Sequence, residues 1–123
     1  MTTTGTLLEL VDAVADGQQV IVLLESARDH ARVRDAVMRS LAKRRVAVRT
    51  ANAAIVDAVS GGRVSFEFAR SSNAMRGLRP NVVFTVGHRV SGPGVGTFWR
   101  DALAVASVCA LKTPGGRVVE LSV

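Results

Sequence analysis

The sequence predicts an α/β domain in three layers: a mainly parallel sheet, flanking helices and one β-hairpin. Three observations carry that expectation. Val20–Leu24 is an unbroken apolar run and Val82–Val86 is apolar except for Thr85, the pattern of strands covered on both faces. Other segments place apolar residues at helical spacing along one stripe. Strands and helices alternate along the chain, as crossover connections between parallel strands require.

The elements follow in order. Leu7, Leu10, Val11 and Val14 share one helical face within Thr6–Asp16, and Gly17 is a natural stop. Val20–Leu24 is the first predicted strand. A long helix is expected over Ala27–Arg44, with Val33, Val37 and Leu41 as its buried stripe and Ser26 as its cap. Arg28, Arg32, Arg39 and Lys43 fall away from that stripe, diluted by Asp29 and Asp35. Val46–Val48 is a second short buried strand. Ala54–Val59 and Arg63–Ala69, joined by Ser60-Gly61-Gly62, form the hairpin. In its second arm Val64, Phe66 and Phe68 alternate with Ser65 and Glu67; the alanine-rich stretch 51–59 also fits a short helix. Val82–Val86 is entered through Pro80, and residues 87–96 form a glycine-rich loop. Thr97–Leu111 is a helix, and Arg117–Ser122 is the last strand.

Composition narrows the function. The chain has 123 residues, 48% of them hydrophobic and 21% charged, which excludes a disordered tail and predicts one domain over residues 1–123. A lone cysteine, Cys109, excludes an intrachain disulfide framework and any multi-cysteine metal site. No run is long enough to span a membrane and no secretory leader stands at the start, so the expected location is the cytoplasm. Lys and Arg total 16 against 10 Asp and Glu, a net charge of +6. Such a balance attracts polyanions, although an arginine bias is also what a GC-rich coding sequence writes. There is no tyrosine, and four Phe and one Trp offer little stacking surface. A nucleic acid partner, DNA or RNA, would therefore be held by its backbone phosphates.

Few residues point to reaction chemistry. Ser91-Gly92-Pro93-Gly94-Val95-Gly96-Thr97 opens a helix after a strand, where backbone amides can cradle a phosphate. It lacks the lysine of GxxxxGK[ST] and the third glycine of GxGxxG, and reads more simply as a flexible connection. His30 and His88 have no metal-ligand spacing and read as surface histidines. Cys109 reads as core, and Ser26 and Ser72 lack a nucleophile elbow. Glu25, at the C-terminal end of a buried strand, is the best-placed carboxylate. Of Phe98 and Trp99, at least one is expected to pack in the core.

Taken in order, the pieces resemble the ATPase lobe of a phage large terminase subunit or a superfamily-2 helicase, a RecA-like P-loop fold. Thr4-Gly5-Thr6-Leu7-Leu8-Glu9-Leu10 resembles the helix following a Walker A loop, and Val20–Ala27 the next strand with its exit. Gly61–Phe68 followed by Met75–Phe84 resembles the approach to a Walker B strand. Pro114–Ser122 resembles the strand leading to the coupling motif. The departures are in the chemistry. The chain begins where the phosphate loop would end, and Val86, Gly87 and His88 stand where Asp-Glu would hold magnesium and polarise water.

The resemblance thus implies a degenerate lobe without ATPase activity or cofactor, in a small phage or prophage protein of a bacterial cytoplasm. The expected function is non-catalytic binding of nucleic acid backbone through Arg28, Arg32, Arg39, Lys43, Arg70, Arg76 and Arg79. A protein-interaction or assembly module, homo-oligomeric or bound to a phage or host protein, is the alternative. In that version an unoccupied sheet edge, left by a missing first strand, is buried. A small enzyme using Glu25, His88 or the glycine loop is the third reading.

Overall fold

The computed structural model describes residues 3–24, 27–44, 48–51, 54–57, 60–68, 79–86 and 104–122. Seven strands form one sheet: β1 (Thr3–Thr6), β2 (Gln19–Leu24), β3 (Val48–Ala51), β4 (Ala54–Asp57), β5 (Arg63–Phe68), β6 (Val82–Val86) and β7 (Arg117–Ser122). Their order across the sheet is β1-β7-β6-β2-β5-β4-β3. The five strands β1, β7, β6, β2 and β5 run parallel, while β4 and β3 add two antiparallel strands at one side.

Helices α1 (Leu7–Ala15) and α2 (Ala27–Lys43) cover one face. Leu10, Val11 and Val14 of α1 and Val33, Val37 and Leu41 of α2 pack there on Val20, Val22, Leu24, Val64, Phe84 and Val119. A third helix, α3 (residues 104–111), packs Ala106, Cys109 and Ala110 against Ile21, Leu23 and Val83 on the opposite face. β2 and β6 therefore bury both faces, which explains why their sequences are apolar without alternation. The expected three-layer α/β architecture is the observed one.

Three details differ from expectation, and a fourth decides between two alternatives. Thr3–Thr6 is a strand, so a first strand is present, and it holds an edge of the sheet beside β7. Thr4-Gly5-Thr6 lies in that strand rather than in a helix. Residues 54–57 are strand, which removes the short-helix alternative. Of the strand expected at 46–48, residues 46 and 47 lie outside the described residues, and strand runs over Val48–Ala51 at the other edge, so that two hairpins stand in series. Cross-strand pairing with β4 sets that register, and an isolated valine triplet cannot reveal it.

Helix α1 is closed at both ends. Thr6 caps it, with its Oγ1 accepting from the Glu9 backbone N–H at 3.3 Å. Gly17, at φ +84°, ends it, as its N–H donates to the Val14 carbonyl at 3.1 Å. Thr6→Ala is expected to cost about 1 kcal/mol in urea unfolding, with the slope of the transition unchanged.

Candidate nucleic-acid interface

The chain turns in opposite directions after β2 and after β6: β2 leads outward to β3, and β6 leads back to β7. A crevice beyond the carboxyl ends of such strands is the usual ligand site of an open α/β sheet. Here Leu24 and Val86 are register partners at that place, and both are buried. Glu25, Ser26, His88 and the 91–97 loop lie outside the described residues. Among the described residues no group of His, Cys, Asp or Glu is arranged to hold a metal ion.

The passages from strand to helix at this end are short. Thr6 is both the last residue of β1 and the cap of α1, so nothing separates them. Only Glu25 and Ser26 separate Leu24 from Ala27. Four of the described acidic residues lie at the same end. Glu9 lies in the first turn of α1, Asp29 in the first turn of α2, and Glu67 and Glu120 near the ends of β5 and β7. Burial strips water from the Glu67 carboxylate and raises its pKa above the ordinary 4.5. The folded chain then holds that proton more tightly than the unfolded chain, so this stability is present at low pH and is lost as pH rises through the folded-state value. Glu67→Gln should stabilise the fold slightly at neutral pH, by at most about 0.5 kcal/mol after solvent screening, seen as a small rise in Tm. Below about pH 4 the gain should vanish in a pH series of thermal melts.

The basic residues of α2 form a built feature. Arg28, Arg32, Arg39 and Lys43 are separated by four, seven and four positions, which places them on one ridge of the helix. All four are exposed, opposite the buried Val33, Val37 and Leu41. The ridge is about 22 Å long at 1.5 Å per residue. Asp29 does not dilute it from solvent: it is 2% exposed, and its Oδ1 accepts from Arg32 Nη2 at 2.9 Å. A buried carboxylate thus holds the Arg32 guanidinium by one of its terminal nitrogens, and the Arg32 side chain is otherwise exposed on the ridge. Arg39 Nε donates to the Asp35 carbonyl at 3.4 Å.

Other candidates are placed as follows. Arg79 is exposed just before β6, at the amino-terminal rim of the sheet, where α2 also ends. It is therefore at the Lys43 end of the ridge and far from Arg28. Arg70, Arg76, Ser72, Phe98 and Trp99 lie outside the described residues. His30 is no free surface histidine: its ring meets Phe66 and Phe68 edge-on at 5.1 and 5.5 Å. Cys109 is buried, as expected. No described helix is long and apolar enough to cross a membrane.

The fold is that of an α/β domain built on a five-strand parallel sheet. Among solved structures, the chain is similar to the large terminase of a thermophilic bacteriophage, at TM-score 0.58 and 16% identity. The similarity covers 94% of this chain and 29% of the terminase chain. The same terminase in complex with ADP is matched at TM-score 0.57 and 16% identity, with the same coverage. The chain thus spans less than a third of the terminase's length. No family model matches the chain, and no curated protein matches it.

Proposed function

We propose that this chain is a non-catalytic module, with the fold of a nucleotide-driven motor, that grips nucleic acid by its phosphate backbone. The α2 ridge carries the reading: four exposed cations in line, on a rigid helix, opposite the core. The similar terminase binds ADP, and three features support the absence of hydrolysis here. The passages from β1 to α1 and from β2 to α2 have no room for the GxxxxGK[ST] loop. The longer passage from β6 to α3, residues 87–103, contains no lysine. The first-turn amide of α1 at Glu9 is occupied by Thr6, and the Glu9 carboxylate stands where a phosphate would approach.

Two measurements test this. ATP with magnesium should leave Tm unchanged, whereas stabilisation that grows with ATP concentration would contradict the reading. A fluorescent duplex should bind at low salt, and absence of binding there would remove the nucleic-acid half of it.

A second reading, an assembly module, draws on α3. Val108 and Leu111 are 56% and 80% exposed, beside a cavity of about 210 Å³ lined by Ala104, Val105, Val108, Cys109 and Lys112. An apolar stripe of that kind is a contact surface in many assemblies. Light scattering that finds only monomer over a wide concentration range would count against it.

A further inference from the structure

The amino-terminal rim of the parallel sheet carries a second set of cations. In a parallel sheet every strand begins at one rim, so basic residues at strand starts collect there whatever their separation in sequence. Arg63 opens β5, Arg117 opens β7, and Arg79 precedes β6. Lys112 follows α3 and Lys43 ends α2 at the same rim. From the strand alternation, Arg117 lies on the α1 side of the sheet and Arg63 on the α3 side, so the set straddles the sheet's end.

Backbone bonds fix the spacing of this rim. The Asn81 N–H donates to the Gln19 carbonyl at 2.8 Å, and the Asn81 Oδ1 accepts from the Gln19 N–H at 2.8 Å. The Asn81 carbonyl accepts from Arg117 N–H at 3.3 Å, and Arg63 N–H donates to the Gln18 carbonyl at 3.0 Å. The starts of β7, β6, β2 and β5 are thereby tied into one row about 14 Å wide. Among the described residues Arg63, Arg79, Lys112 and Arg117 form no ion pair. Arg44 does, with Asp12. Among the described side chains, Asp16 is a further carboxylate at this end.

We infer that this rim is a second phosphate-binding surface for double-stranded nucleic acid, continuous with the α2 ridge at Lys43. The inference rests on the backbone-binding reading and extends it to residues on the rim opposite the usual α/β ligand site. A duplex is the ligand because no described aromatic ring is exposed: Phe66 and Phe84 are buried and Phe68 packs on His30. A single strand would find no stacking platform there.

The test is fluorescence anisotropy of the full chain with a duplex of about 30 base pairs, over a series of salt concentrations. Arg63→Gln/Arg79→Gln/Arg117→Gln should weaken binding about tenfold or more and lower the salt slope by about 2–3. The matching Arg→Lys triple should keep most of the slope, which separates charge from folding damage. The single Arg79→Gln variant, in which the replaced residue lies outside any strand, should lower the slope by about 1. If the rim triple binds like the unaltered chain, or the unaltered chain prefers single strands, the inference is overturned while the ridge remains. If the unaltered chain binds no duplex at low salt, the inference and the reading beneath it both fall.

Discussion

Replacing Arg28, Arg32, Arg39 and Lys43 together by Gln should reduce duplex affinity on the order of a hundredfold at low salt and lower the salt slope by about 3–4. Each cation that neutralises a phosphate releases a condensed counterion, so four lost contacts appear as a change of slope as well as of Kd. The fold should survive, because all four residues are exposed and Gln is nearly as good a helix former as Arg or Lys. One cost is expected: Arg32→Gln removes the Arg32 guanidinium from the buried Asp29 carboxylate. A companion triple variant that keeps Arg32 avoids it and should still lower the slope by about 2–3. An unchanged slope in either variant would move the interface elsewhere.

Gly62→Ala should be strongly damaging, costing about 3 kcal/mol in urea unfolding. A Cβ at position 62 would sit 1.8 Å from the Val14 carbonyl oxygen, well inside van der Waals contact. That oxygen cannot retreat cheaply. It accepts from Ser60 Oγ at 2.9 Å and from the Gly17 N–H at 3.1 Å, and Ser60 Oγ also accepts from the Gly62 N–H at 3.0 Å. The turn before β5 and the end of α1 are thus locked at one point. Relief would pull apart the two layers that hold α2 over the sheet. Gly61→Ala makes a useful contrast: it meets nothing within 4 Å, and its cost should come only from the positive φ of 79°.

The layered fold was legible where burial is two-sided. Val20–Leu24 and Val82–Val86 announce central parallel strands because both faces are covered, and Val33, Val37 and Leu41 announce the inner face of α2. Strand β1 was not legible. Thr3–Thr6 is short, polar and interrupted by glycine, and only its pairing with β7 makes it a strand. β3 was misplaced for a related reason: an edge strand takes its register from a partner rather than from its own hydropathy.

The α2 ridge was legible in outline, since helical spacing puts its four cations away from the core. Asp29 was expected to dilute that charge, and it does so by pairing with Arg32; that it does this while buried could not be read from sequence position. Of the rim cations, Lys43 and Arg79 were named from the sequence but Arg63, Lys112 and Arg117 were missed, although Arg63 and Arg117 each open a strand in a sheet recognised as parallel. Combining strand starts with sheet direction would have placed them on one edge; periodicity within a single element could not.

The most direct test of backbone gripping without sequence reading is the affinity of the unaltered chain for two duplexes of unrelated sequence, measured from low to moderate salt. Equal affinities, falling along a common log–log line with a slope of about −3 or steeper, are the predicted result. A strong preference for one sequence, or affinity indifferent to salt, would contradict it.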